Sequence, residues 1–124
     1  MPIQKTLTLT TLIVLLSPAF ADDEPSPLVF CKDWSIIARE IMTARQNDVP
    51  MSETLSKAIS RYQDWADKYD REMDAQTAEE LAAPLVMGAY GEIIEATDRF
   101  QQQAITAFEN RVFQECYQRR MSDE

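Results

Sequence analysis

The chain has no histidine, so any chemistry it performs has to come from carboxylates, two cysteines, or aromatic and arginine side chains. Ser-His-Asp and Cys-His catalysis, His-ligated zinc and His-ligated haem are thereby excluded. Cys31 and Cys116 stand far apart and form no Cys-x-x-Cys, which removes a thioredoxin-like redox site and covalent haem attachment. Carboxylates are plentiful: 21 Asp and Glu against 12 Lys and Arg, for a net charge of −9. Two of them could serve glycoside hydrolysis, and a set of them a di-metal site in a bundle. Asp64, Asp67, Asp70 and Asp74 fall opposite the apolar positions of their segment, however, and no Glu-x-x-His occurs. The same run lacks the glycine and the ligand spacing of an EF-hand loop. It reads as a solvated acidic face. No catalytic residue, metal ligand or cofactor is assigned, and the expectation is a protein that is not an enzyme.

Two groups of side chains remain as candidates for binding. Trp34, Tyr62, Trp65, Tyr69 and Tyr90 recur at helical spacing, which most often means core; the functional alternative is a small-ligand pocket on Trp34 and Tyr62, with Tyr90. Arg45 and Gln46 follow the apolar stripe Trp34, Ala38, Ile41 and Met42 by one step. An arginine there can lay its stem on the rim of the core and pair with an acid. Alternatively Arg45, Gln46 and Tyr90 make a contact for a partner.

These residues must be positioned by helices. Residues 1–21 read as a signal peptide, with Lys5, the apolar run Leu7 to Leu16, and the small-x-small site Ala19-Phe20-Ala21. The run is too short to span a bilayer, which needs about 20 apolar residues. No membrane insertion is expected after its removal, and the protein is expected in the periplasm or outside the cell. The acidic balance argues against nucleic acid, whose phosphates require clustered Lys and Arg. Residues 22–30 are expected to form a flexible acidic tail, residues 31–121 the helical domain, and residues 122–124 a short C-terminal tail.

Within that domain, the first helix runs from Cys31 to Gln46, with Trp34, Ile37, Ala38, Ile41 and Met42 at i, i+3, i+4, i+7 and i+8. Asn47-Asp48-Val49-Pro50 ends it, with Asn47 as the residue suited to a left-handed closing conformation. Ser52 is the expected cap of a second helix whose stripe is Leu55, Ala58, Ile59, Tyr62, Ala66, Tyr69 and Met73. Thr77-Ala-Glu-Glu80 reads as a capping box opening a third. Pro84 then kinks or ends a turn, and Gly88 and Gly91 leave open whether residues 88–98 are helix or turn. Thr97 or Asp98 caps the last helix, with Phe100, Ala104, Ile105, Ala107, Phe108, Val112, Phe113 and Cys116 as its buried face. The fold class is an all-α, small up-and-down bundle of about four helices.

Cys31 and Cys116 are expected to form a disulfide, the alternative being two free buried thiols. In an up-and-down bundle the start of the first helix and the end of the last share one end only when the number of helices is even. A bond therefore favours four helices over three.

The residues Cys31, Ala38, Ile41-Met42, Arg45-Gln46, Ala89-Tyr90, Gln103-Ala104-Ile105, Phe108 and Cys116 give the chain a resemblance to a family of small exported proteins of Gram-negative bacteria and their prophages. That resemblance implies a helical fold, a periplasmic setting and a turn-like segment at Gly91-Glu92-Ile93-Ile94; it implies no activity. The leading expectation is a non-catalytic protein that binds another envelope protein through Arg45, Gln46 and Tyr90. A small-ligand carrier using Trp34, Tyr62 and Tyr90 is the second reading, and a carboxylate acid-base enzyme the third.

Overall fold

Ser26 and Pro27 open the first helix. The Ser26 hydroxyl accepts a hydrogen bond from the Val29 amide at 3.2 Å, and Pro27 occupies the first helical turn, where a missing N–H costs nothing and φ is already set. Helix α1 therefore spans Pro27–Gln46, opening four residues before Cys31. The expected tail over residues 22–30 is thus corrected: its last four residues are helical, and Phe30 is buried. The computed structural model describes residues 24–123, so the expected signal peptide, the first two residues after it and Glu124 lie outside the described residues.

Three further helices follow, α2 (Met51–Lys68), α3 (Ala75–Tyr90) and α4 (Asp98–Ser122), and no strand occurs among the described residues. Several boundaries differ from expectation for local reasons. Asp48, not Asn47, takes the left-handed conformation after α1, with φ 58°. Pro50 precedes α2 and its carbonyl accepts from the amides of Glu53 and Thr54, so the helix starts at Met51 without a side-chain cap, and Ser52 lies inside its first turn. Asp74 caps α3 by accepting from the Thr77 amide at 2.7 Å; the helix opens one turn ahead of the Thr77 capping box. Pro84 stays inside α3 on its exposed side, and the helix runs through Gly88 to Tyr90. Gly91 closes it, a loop follows, and Thr97 caps α4 through the Phe100 amide. Residues 88–98 are thus a helix end and a turn, and the described residues form four helices.

Helix α1 is the hub, packing on α4, α3 and α2, while α2 packs on α3. Its stripe of Ile37, Ala38, Ile41 and Met42 meets Ala58 and Tyr62 of α2, Ala78, Ala82, Val86 and Ala89 of α3, and Ile105, Phe108 and Val112 of α4. The small residues of α3 recur every three or four positions, which lets that helix approach closely. Side-chain pairs fix antiparallel registers: Arg61 with Glu40 at 2.8 Å and Tyr69 with Asp33 at 3.0 Å between α1 and α2, Arg39 with Glu109 at 3.4 Å between α1 and α4. The buried stripe of α4 is narrower than its composition suggests, since Phe100 and Ala107 are exposed. At 25 residues α4 is the longest helix and leans mainly on α1, so a single row suffices.

Cys31 and Cys116 are bonded, with Cα atoms 5.6 Å apart, and join the start of α1 to the end of α4. A closed loop of that length restricts the unfolded chain by roughly 4 to 5 kcal/mol on the chain-entropy account. Helices α3 and α4 come together near their shared loop, where a Cβ added at Gly88 would stand 3.9 Å from Phe108 Cε1. They do not pack closely along their length, and toward the disulfide the space between them is a cleft.

Candidate functional site

The two groups of candidate residues occupy opposite ends of the bundle. Arg45, Gln46 and Tyr90 gather at the end away from the disulfide, around the loop between α3 and α4. Arg45 Nε donates to the Glu92 carbonyl at 2.9 Å, and its guanidinium lies 5.2 Å from the centre of the Tyr90 ring. Gln46 is buried, 4 % exposed. Its Nε2 donates to the Ile93 carbonyl at 2.9 Å and its Oε1 accepts from the Glu95 amide at 2.8 Å, so one amide side chain mimics a strand partner for the loop. The Tyr90 hydroxyl donates to the Val49 carbonyl at 2.6 Å and lies 2.7 Å from Thr54 Oγ1. Tyr90 donates its one proton to Val49, which leaves the Thr54 hydroxyl as donor to the Tyr90 oxygen. The fold thus brings these three residues together, and the chain itself takes up Arg45 Nε, the Gln46 amide and the Tyr90 hydroxyl: they form a latch that holds two loops.

Trp34 and Tyr62 meet at the disulfide end. Antiparallel packing of α2 on α3 places Tyr90 beside Thr54, eight residues and about 12 Å along α2 from Tyr62. Tyr90 is therefore not part of the Trp34–Tyr62 pocket expected from sequence. Its place is taken by Phe30, whose ring centre lies 4.7 Å from that of Trp34. Trp34 stands edge-on to Tyr62 at 5.2 Å and to Trp65 at 5.7 Å, and Trp65 to Phe30 at 4.9 Å.

Beside this cluster lies a cleft of about 460 Å³, within the range usual for small-molecule sites. Trp34, Tyr62, Leu81, Leu85 and Val112 form much of its wall. Glu80, Glu115, Arg119, Arg120 and Asp123 also border it, giving both signs of charge. Arg120 is held with its guanidinium 3.8 Å from the centre of the Phe30 ring. Tyr62 is fully buried, yet its hydroxyl has no hydrogen-bond partner among the described residues; the same holds for Nε1 of Trp34 and of Trp65. Burial pushes the Tyr62 phenol above its ordinary pKa, so it remains a neutral donor. Phe30, Leu85 and Val112 were not foreseen as pocket residues. The Ser26-Pro27 pair was the available signal for Phe30, because a helix starting there puts Phe30 one turn before Trp34.

A second cavity, about 420 Å³, lies between α1 and α2 against Ile37, Ile41, Ala44, Val49 and Ala58. The Arg61–Glu40 pair borders it, with Arg61 Nε and Nη2 donating to the two carboxylate oxygens at 2.8 and 3.1 Å. Asp64, Asp67, Asp70 and Asp74 are all exposed, and no group of three or more His, Cys, Asp or Glu could hold a metal among the described residues. No helix among the described residues is long and apolar enough to cross a membrane. No family model, curated protein or solved structure matches the chain.

Proposed function

We propose that the protein is an exported, non-catalytic carrier that takes a small, mainly apolar ligand into the cleft between α1, α3 and α4. The observation that carries this reading is the cleft of about 460 Å³ beside buried polar atoms that nothing in the described chain satisfies. Well-folded proteins pair nearly all such atoms, and leaving one unpaired costs roughly 1 to 3 kcal/mol. The signal-like segment of residues 1–21 and the disulfide support export. Binding of an envelope protein through Arg45, Gln46 and Tyr90 is the weaker reading, because Gln46 is buried and all three are engaged within the chain.

Titrating the disulfide-intact chain from Asp22 onward with the neutral dye N-phenyl-1-naphthylamine tests the carrier reading. Saturable fluorescence enhancement is expected, weakened at least tenfold by Leu85→Arg in protein whose circular dichroism is unchanged. Linear, unsaturable enhancement overturns it. N-terminal sequencing of protein recovered from an envelope fraction checks export, with Asp22 as the expected first residue.

A further inference from the structure

We infer that the outward face of α4 is the surface through which the protein pairs with a second copy of itself, the two α4 helices lying antiparallel. Helix α4 packs mainly on α1, and its far side is covered by no other element among the described residues. Along that side Phe100, Gln103, Ala107, Asn110, Gln114, Tyr117 and Met121 follow one another at steps of three and four, the spacing that keeps one seam turned toward a partner helix. All seven are exposed. Phe100, Tyr117 and Met121 are 51 %, 37 % and 47 % exposed, large apolar groups that α1 does not reach. The seam runs for about 30 Å at the helical rise, and no residue in it carries a charge.

Charge selects the occupant. Two chains of net charge −9 repel over most of their surfaces, and a seam without acids is where they can approach. A basic partner would be met by carboxylates, which this chain has in excess and this face lacks. Charged residues beside the seam are drawn toward the rest of the bundle: Glu109 pairs with Arg39 at 3.4 Å, Arg111 reaches Glu92 at 3.8 Å, and Arg120 lies over the Phe30 ring. Shape selects the direction. A shallow hollow of about 620 Å³ over Gln103, Thr106, Ala107 and Asn110 occupies the first half of the seam. The second half carries Met121 and Tyr117, whose ring stacks on Phe113 at 5.7 Å. Antiparallel pairing about Asn110 lays the bulky half of each copy over the hollow of the other and brings the two Asn110 amides together, each able to donate and accept. Parallel pairing would set ring against ring and hollow against hollow, and would align two helix dipoles that the antiparallel arrangement opposes. Val112, Cys116 and Arg119, which border the cleft, lie on the other side of α4, so pairing leaves the cleft open and the inference is independent of the carrier reading. Seven seam residues a side fall short of the roughly 20 to 30 of a standard interface, so the dimer is weak, with a Kd of roughly 10 to 100 µM.

Sedimentation velocity of the disulfide-intact chain from Asp22, between about 5 and about 500 µM, is expected to show a monomer giving way to a dimer. Asn110→Asp sets two carboxylates against each other at the centre of the seam and is expected to raise the dimer Kd at least tenfold, with helical content unchanged by circular dichroism. Direction is read from two double variants that share Tyr117→Lys. Gln103→Glu with Tyr117→Lys brings opposite charges together across an antiparallel seam, whereas Gln103→Lys with Tyr117→Lys brings like charges together; across a parallel seam both meet like with like. The Glu–Lys variant is expected to dimerise at least tenfold more tightly than the Lys–Lys variant. A single monomeric species at about 500 µM overturns the inference, as does a dimer that Asn110→Asp leaves unchanged. Equal dimerisation of the two double variants overturns the antiparallel pairing.

Discussion

The two ends of this bundle treat buried polar groups in opposite ways. At the loop end, Gln46, Thr54 and Tyr90 are buried or partly buried and each has its partners: carbonyls of Ile93 and Val49, the amide of Glu95, and one another's hydroxyls. At the disulfide end, Trp34 and Tyr62, which line the cleft, and Trp65, which borders a separate hollow, bury polar atoms that find no partner among the described residues. The first arrangement stabilises and defines one conformation. The second leaves donors without acceptors among the described residues, a cost that folded chains ordinarily avoid. Residues that look functional because they are polar can thus be structural.

The largest expected effect comes from cutting the covalent tie at the cleft end. Replacing both Cys31 and Cys116 by Ser releases the ends of α1 and α4, which are 85 positions apart in the chain. Stability should fall by roughly 4 to 5 kcal/mol, most of what a small domain has to lose. Urea unfolding followed by circular dichroism measures it. Amide exchange makes the comparison sharper: the C-terminal turns of α4 should lose protection before the amide of Glu95, which the latch holds. Uniform loss of protection at both ends would count against two separately secured regions.

Next in size is Gln46→Leu. The leucine fills the volume but leaves the Glu95 amide and the Ile93 carbonyl without their partner. The expected loss is roughly 2 to 3 kcal/mol, from two hydrogen bonds and a part-buried unpaired group, read as a lower urea midpoint at constant slope. Ligand binding at the other end should be unchanged in the folded fraction. An unaltered midpoint would show that the Gln46 bonds do not secure the α3–α4 loop.

The same substitution made at both ends gives the most direct contrast. Tyr90→Phe removes a hydroxyl bonded to Val49 and Thr54, and should cost about 1 to 2 kcal/mol. Tyr62→Phe removes a buried hydroxyl that has no partner among the described residues, and should be neutral or stabilise by up to about 1 kcal/mol. Opposite signs are the expected result of paired melts. If both variants lose stability equally, the Tyr62 hydroxyl is satisfied in solution and the contrast between the ends disappears.

Much of this was legible in the chain, and the parts that were not have physical causes. Apolar spacing from Trp34 to Met42 revealed α1, and the parity argument from Cys31 and Cys116 revealed the fourth helix, because periodicity and a covalent tie are both written directly in sequence. Asp74 took over the cap expected of Thr77, since two chemically good caps within one turn compete, and α2 starts after Pro50 with no side-chain cap where Ser52 was expected to supply one. The grouping of Arg45, Gln46 and Tyr90 was visible as a polar cluster around a stripe. Whether it faced solvent or the α3–α4 loop depended on the path of residues 91–97, which no local pattern specifies. Phe30 escaped notice for a simpler reason: Pro25 and Pro27 look like a tail, while Ser26 before Pro27 is also a helix start.

The smallest expected effect concerns acid and the cleft end. The Asp74 carboxylate caps α3 through the Thr77 amide, and that bond, with the Thr77 side chain second, holds its pKa below the ordinary 3.8. A group whose pKa is depressed on folding contributes stability that is fully present above its unfolded pKa and is lost as the pH falls through the folded one. Asp74→Asn keeps a side-chain acceptor suited to the cap but no longer titrates there. Urea midpoints taken from about pH 6 down to about pH 2 should therefore fall less steeply at the acid end for Asp74→Asn than for the unmodified chain. The carboxylate is fully exposed, so the difference is modest, and salt should reduce it. Because α3 forms one wall of the cleft and begins at Asp74, fraying of its first turn in acid should weaken dye binding before the latch loop loosens. A latch that exchanges its Glu95 amide as early as the first turn of α3 would show that the two ends open together.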